Sequence, residues 1–309
     1  MTRPIERAAV VVLPLLLASS CVIGGDRYPR PRDLSPSWLV DRTRVLAVVA
    51  EPPEIRPGMT SRFSALIASP TDEELLKVWF ACPVDDEGNG FGCFADLGSL
   101  DLENATAEDL FELGVVGFEP GLPPSYTAPG DFLESVPPED RPEGRYVNVQ
   151  VSALPESVTS GVDPDATEVP EVDFNEVEVA YKRLVVSEAP TPNHNPTIDT
   201  FMVDRIAVDA DTVVVVEAEQ SYDLGIRLPD GTREVYEFIT SDGVVEERVE
   251  EPYASWYSTG GEVLEEVTLH PYLESTWTAP DGPEEGTWYV VLRDRRGGMV
   301  WHVQRWAVR

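Results

Sequence analysis

Apolar residues in this chain recur in short runs of strand type, alternating with polar residues or bunched and β-branched, and each run stops at Pro, Gly, Asn, Asp or Ser. Arg44 to Ala50, Ser61 to Ala68, Leu75 to Ala81, Tyr146 to Val151 and Glu176 to Val186 are such runs. Thr212 to Ala218, T-V-V-V-V-E-A, reads as a central strand, and Val235 to Thr240 and Val244 to Glu250 flank a hairpin turn at Ser241-Asp242-Gly243. Further on, alternation sets Trp288, Val290 and Leu292 on one face of a strand, and the ending through Trp301, Val303 and Val308 reads as a last strand rather than a tail.

The pattern occurs twice. W-T-A-P at Trp277 followed by E-G-T-W-Y-V-V-L-R is matched by Y-T-A-P at Tyr126 followed by E-G-R-Y-V-N-V-Q-V from Glu143. K-V-W-F-A at Lys77 and A-S-W-Y-S at Ala254 precede the two copies, and K-R-L-V-V (Lys182 to Val186) and Q-R-W-A-V (Gln304 to Val308) follow them. Self-similarity over about half the chain predicts two copies of one folding unit. In the first copy Val147, Val149 and Val151 form the alternating set, which requires a one-residue offset after the E-G pair.

Several short strands with a Trp on the third, Trp79 in one copy and Trp256 in the other, predict a mostly β fold of two tandem immunoglobulin-like β-sandwiches. The units are placed at residues 41–188 and 197–309, joined by a Pro-rich linker at 189–196. The first carries additions. Thr106 as N-cap, Asp109 in the first turn and Gly114 past the end predict a short helical insertion. Ser152 to Asn175 is an acidic segment whose composition favours disorder.

Residues 1–20 fall outside this pattern. Arg3 and Arg7 precede an apolar core, Ala8 to Ala18, too short for the ~20 residues that span a bilayer, and small residues lead to Cys21. That is an export signal. Leu16-Leu17-Ala18-Ser19-Ser20-Cys21 resembles the lipobox of bacterial lipoproteins, which implies cleavage before Cys21 and its lipidation. Ala18 stands where the motif has Leu, which leaves ordinary signal cleavage open. Residues 21–40, rich in Gly, Pro and Arg, read as a tether. Val22, not Asp, follows the cysteine, and enteric-type sorting then implies the outer membrane.

Three cysteines in an exported chain leave one over. Cys82 and Cys93 are close and flank a turn-rich loop, so they are expected to pair, and lipidation would consume Cys21. Inside that loop Asp85, Glu87, Asn89 and Gly90, with Asp96 at the twelfth place, follow the spacing of a calcium loop; a solvated acidic turn is the competing reading. No metal or cofactor is assigned.

The chain has 23 Lys and Arg against 56 Asp and Glu, a net charge of −33. Phosphate backbones would be repelled, which argues against nucleic-acid partners. His194, His270 and His302 are isolated in sequence, and no nucleophile elbow, zinc-protease, P-loop or dinucleotide motif occurs, so no catalytic residue is assigned.

E-P-P-E-x-x-P-G at Glu51, N-H-N-P at Asn193, W-T-A-P at Trp277 and V-V-L-R-D-R-R-G-G at Val290 resemble uncharacterised lipoproteins of myxobacteria and related delta-proteobacterial lineages, and the second unit is similar to PKD-like surface domains. The resemblance implies an envelope lipoprotein with tandem sandwiches and no assigned activity. The functional expectation is a non-enzymatic structural or protein-interaction module with an unknown envelope or extracellular protein partner. The alternative is an adhesion or carbohydrate-binding module, motivated by Trp256, Tyr257, Tyr272, Trp277, Trp301 and Trp306. Changing Cys21→Ser is expected to abolish lipid labelling and release the protein from membranes, read by metabolic labelling and fractionation; an unlabelled variant that stays membrane-bound defeats the lipoprotein expectation.

Overall fold

Among the described residues the chain forms twenty strands, the longer ones mostly where the apolar runs predict them and many of the short ones not foreseen, and none of these residues is helical. The computed structural model describes residues 35–70, 74–84, 114–155, 177–240 and 243–309. In the first repeat these are β1 (Arg44–Glu51), β2 (Glu54–Ile55), β3 (Thr60–Ala68), β4 (Leu75–Pro83), β5 (Val115–Glu119), β6 (Ser125–Thr127), β7 (Arg145–Pro155) and β8 (Glu178–Val186). The second repeat opens with β9 (Thr200–Val203), β10 (Ile206–Val208), β11 (Val214–Val216), β12 (Ser221–Arg227), β13 (Val235–Ile239) and β14 (Val245–Val249). It continues with β15 (Tyr253–Ser258), β16 (Glu262–Val263), β17 (Val267–Leu269), β18 (Glu274–Thr278), β19 (Glu285–Arg293) and β20 (Met299–Val308).

The sheets repeat as the motifs do. One layer runs β2-β8-β7-β4-β5 in the first unit and β11-β20-β19-β15-β17 in the second; the facing layer runs β1-β3-β6 and β10-β9-β12-β18-β16. In each five-stranded sheet of the first kind a short edge strand lies parallel to the last strand, β2 on β8 and β11 on β20, and the other pairs are antiparallel. The E-G pairs stand at the start of equivalent strands, Glu143-Gly144 just before β7 and Glu285-Gly286 as the first residues of β19, for one steric reason. A Cβ on Gly144 would stand 2.3 Å from the Val186 carbonyl oxygen, and one on Gly286 2.2 Å from the Trp306 ring, so the last strand closes over both.

Each sandwich is filled by its Trp and the alternating residues. Trp79 stacks on Phe63 above Val147, Val149 and Val151, which have no exposed surface. In the second unit Trp256 lies with Trp277, Trp288 and Trp306, whose ring centroids are 4.8 to 6.2 Å apart. The predicted central strand at Thr212 to Ala218 is instead the short edge strand β11, with Val213 and Val215 exposed. Val214, Val216 and Ala218 face the core while Val213 and Val215 face out, so β-branched composition alone did not make it central.

A third core joins the units. Leu46, Ala47, Leu66 and Ala68 on the outer face of β1 and β3 pack against Tyr289 and Val291 of β19, with Tyr257, Met299, Trp301 and Val303 around them. The four sheets therefore form a stack with three apolar seams. This explains two sequence features that alternation does not: V-L-A-V-V-A in β1 and W-Y-V-V-L in β19 are unbroken because those strands are covered on both faces.

The tether ends earlier than residue 40. Trp38 enters the core of the second sandwich and Val40 the seam between the two. The Val40 N–H donates to the Ser258 carbonyl at 2.9 Å and the Ser258 N–H to the Trp38 carbonyl at 3.0 Å. A segment preceding the first sandwich thus completes the second. The expected helix over Thr106 to Leu113 and the acidic segment to Asn175 lie almost wholly outside the described residues, although Gly114 has the left-handed backbone (φ 82°) expected past a helix end. Trp38→Ala should lower unfolding free energy by about 3 kcal/mol, the cost of emptying a core site. A tether residue would cost under ~0.5 kcal/mol; urea denaturation separates the two.

Candidate functional site

Three of the short motifs singled out in the sequence meet at one place. Glu54 follows the E-P-P of the first unit, Asn193-His194-Asn195 lies between the units, and Asp294 to Gly298 turns β19 into β20. The last motif looks like an ordinary turn in sequence. In the structure its acid is buried: one Asp294 carboxylate oxygen accepts the backbone N–H groups of Arg296, Gly297 and Gly298 at 2.7, 2.9 and 2.9 Å. The other accepts the Asn193 amide at 2.9 Å. No side chain fits at Gly298, where a Cβ would lie 2.1 Å from that oxygen.

The 189–196 segment is therefore pinned at both ends of its middle. The Asn193 N–H donates to Glu54 Oε2 at 2.7 Å, and the Ser187 hydroxyl donates to Glu54 Oε1. The Asn195 amide reaches the Ala50 carbonyl and Glu51 on the first sandwich, while its oxygen receives the Met299 N–H of the second at 2.9 Å. Lys182, a buried residue of β8, donates to the Gly297 carbonyl, and Arg293 donates to the Leu46 carbonyl at 3.0 Å. Stiffness in this linker comes from these bonds as much as from its prolines.

Burial sets the charge states. Loss of water raises the Asp294 carboxyl pKa above its usual range, against the pull of its hydrogen bonds and of Lys182. It lowers the Lys182 amine to about 8, although Asp294 draws it the other way and Arg293 adds to the depression. Glu250 is raised by burial too, opposed by Arg296.

Arg296 extends the junction to an appendage. Its guanidinium lies 3.0 Å from Glu250, 3.2 Å from Glu234 and 3.9 Å from Glu54, and 4.5 Å from the Tyr236 ring centroid. Glu234 and Glu250 bracket the β13–β14 hairpin, and the Glu250 N–H donates to the Glu234 carbonyl. His194, isolated in sequence, bonds Glu234 at 2.7 Å. The hairpin is a two-stranded sheet, and none of its described side chains belongs to any of the three cores. Val235, Val245 and Val249 are 51, 57 and 47% exposed. Buried charge thus fixes the root of an arm whose surface is open.

The aromatic residues behind the carbohydrate expectation are spent elsewhere. Trp256, Trp277 and Trp306 are core, Tyr257 and Trp301 pack in the seam, and only Tyr272, 81% exposed, faces out. It lines a shallow cleft of about 450 Å³ with Leu269, Asp223, Glu265 and Glu274. His302 stacks on Phe201 at 4.8 Å, whereas the charged neighbours of His270 are Arg233 and Glu251. Among the described residues no three His, Cys, Asp or Glu side chains are placed to hold a metal. Cys82 lies in β4; Cys21, Cys93 and the calcium-spaced Asp85, Glu87, Asn89, Gly90 and Asp96 lie outside the described residues.

Sequence reasoning missed Glu54, Lys182, Asp294 and Arg296. The available signal was an excess of charge in a turn: Gly-Gly alone would reverse the chain, and D-R-R adds groups that a solvent-exposed turn does not need.

No family model matches the chain, and no curated protein matches it. Among solved structures it is similar to Escherichia coli alpha-2-macroglobulin activated by porcine elastase, at 13% identity and a TM-score of 0.21 over 87% of this chain and 22% of that one. The D0-D1 domain of Intimin is matched at 9% identity and a TM-score of 0.21, over 85% of this chain and 98% of that one. Dimeric latent PorU from Porphyromonas gingivalis is matched at 11% and 0.20, over 90% and 25%. The chain spans less than a quarter of the macroglobulin, and at these TM-scores the likenesses carry no inference about its activity.

The junction makes stability depend on pH with a definite sign. Lys182 is depressed in the folded state, so the unfolded chain binds more protons between pH about 8 and its ordinary 10.5, and stability rises across that window and is lost as pH falls through it. Wild type should therefore gain on Lys182→Met by up to about 3 kcal/mol from pH 8 to 10.5 in urea titrations. A constant difference between the two contradicts the assignment.

Proposed function

We propose that the protein is an exported, non-enzymatic module of the cell envelope, lipidated at Cys21, tethered to the outer membrane and presenting a protein-binding arm from two fused immunoglobulin-like sandwiches. The lipobox-like motif supports the anchor, and the repeated sheet order, with a buried Trp on β4 of the first unit and on its counterpart β15 of the second, supports the immunoglobulin-like assignment. The lipoprotein resemblance in the motifs is in keeping with it. A Cys82–Cys93 bridge belongs to the same reading, since exported chains meet oxidising conditions.

The single observation that carries the interaction role is the β13–β14 arm. An isolated two-stranded ribbon is marginally stable in water, and exposed valines add nothing to its solubility. Yet the chain places Arg296, Glu234 and Glu250 beneath it. Burying charge to aim an arm that fills no core is sensible if the arm meets another molecule. The charged groups of the junction are engaged with one another and with backbone groups, and of its side chains the Asn193 amide oxygen is buried without a partner, an arrangement that holds geometry.

The test is a photo-cross-linking side chain at position 246 on the arm, with position 206 as the control, since Ile206 is 70% exposed on β10. Irradiation of intact envelopes should give a discrete protein adduct from position 246 and none of the same mass from 206. Equal adducts from both positions, or none from 246, defeat the interaction role.

A further inference from the structure

We propose that the β13–β14 arm accepts a third strand from its partner, an extended polypeptide segment that presents Lys or Arg between two β-branched apolar residues on one face. The inference rests on the reading above that the arm meets a protein, and it specifies what that protein must offer.

The ladder of the arm is regular. Val235 pairs with Val249, Tyr236 with Arg248, Glu237 with Glu247, Phe238 with Glu246 and Ile239 with Val245, with no bulge. Among the described residues the sheet stops at two strands, and no described strand lies beside the outward N–H and C=O groups of either. Edges of this kind are usually guarded by Pro, Lys, a bulge or a covering loop. Here neither strand contains Pro or Lys. What guards the edge is charge, three glutamates (Glu237, Glu246 and Glu247) against the one Arg248, a balance that repels acidic chains and admits basic ones.

The face that alternation assigns to Val235, Glu237, Val245, Glu247 and Val249 decides the chemistry. All five are exposed, and the two glutamates stand directly across the ladder from each other. Like charges in that relation destabilise a hairpin. Neither has a counter-ion among the described residues. The nearby cation, Arg248, is on the other face, where it lies 2.7 Å from Glu246 and 3.6 Å from the Phe238 ring centroid. A strand that continues the sheet would set its own side chains beside this row: apolar beside the valines, and a cation beside the glutamates. It would relieve the repulsion, cover the valines and satisfy the open backbone groups in one step.

The net charge of −33 works against the other occupants. A second copy of this chain would bring acid to acid, and nucleic acid or an anionic lipid surface would be repelled.

The experiment uses the mature full-length chain and three labelled heptapeptides followed by fluorescence anisotropy. They are Thr-Val-Thr-Lys-Thr-Val-Thr, the same peptide with Glu for Lys, and Thr-Val-Pro-Lys-Pro-Val-Thr, which keeps the charge and cannot complete the ladder. The Lys peptide should bind about tenfold tighter than the Glu peptide, the scale of two exposed charge contacts, and tighter than the Pro peptide, and it should weaken with salt. A chain carrying both Glu237→Lys and Glu247→Lys should reverse the preference and bind the Glu peptide. Because that result is a gain of binding, loss of structure cannot imitate it. Equal binding of the Lys and Glu peptides, undiminished binding of the Pro peptide, no binding of any peptide, or an unreversed preference in the double variant overturns the proposal. If cross-linking from position 246 persists in those cases, the arm still meets a protein and only the strand chemistry is wrong; if it is absent too, the interaction role fails as well.

Discussion

The structure depends on the burial of both faces of the β1–β3 layer. One face closes the first sandwich over Trp79, and the other lies against Tyr289 and Val291 of the second. A sheet with one wet face would leave two domains free to move about their linker, the default for tandem modules. Here apolar area holds them, at a gain of roughly 1.5–3 kcal/mol for each large side chain covered. Trp38 and Val40 reinforce the arrangement, because a segment that leads into the first unit has already paired with β15 of the second.

Polar groups give this apolar contact its register. Seams of Leu, Val and Ala can slide, whereas a carboxylate that needs four donors cannot. Asp294 collects three from its own turn and one from Asn193, and Glu54 fixes Asn193 from the other sandwich. The energetic balance is of the usual buried kind: such a cluster adds little net stability over an apolar filling, but removing one member strands the others at a cost of several kcal/mol. Raised carboxyls at Asp294 and Glu250 and the depressed amine of Lys182 record that cost. The return is orientation, passed through Arg296 to the root of the β13–β14 arm.

The sequence by itself determined that the fold is built of β-strands, that its pattern repeats, and where most of the longer strands lie, because each rests on local periodicity and turn chemistry. Trp79 and Trp256, the alternating sets Val147-Val149-Val151 and Trp288-Val290-Leu292, and the hairpin at 235–250 lie where one-dimensional pattern places them. Pattern also held more than alternation reveals. The unbroken runs in β1 and β19 signalled burial on both faces, but only the fold says that the two cover each other. Tertiary structure alone decided that Trp38 belongs to the second sandwich, that T-V-V-V-V is an edge, and that Glu54, Lys182, Asn193, Asp294 and Arg296, more than a hundred positions apart at the extremes, form one junction. The physical reason is range: strand periodicity is written in neighbours, whereas the partner of a buried charge is wherever the packed sheets bring it.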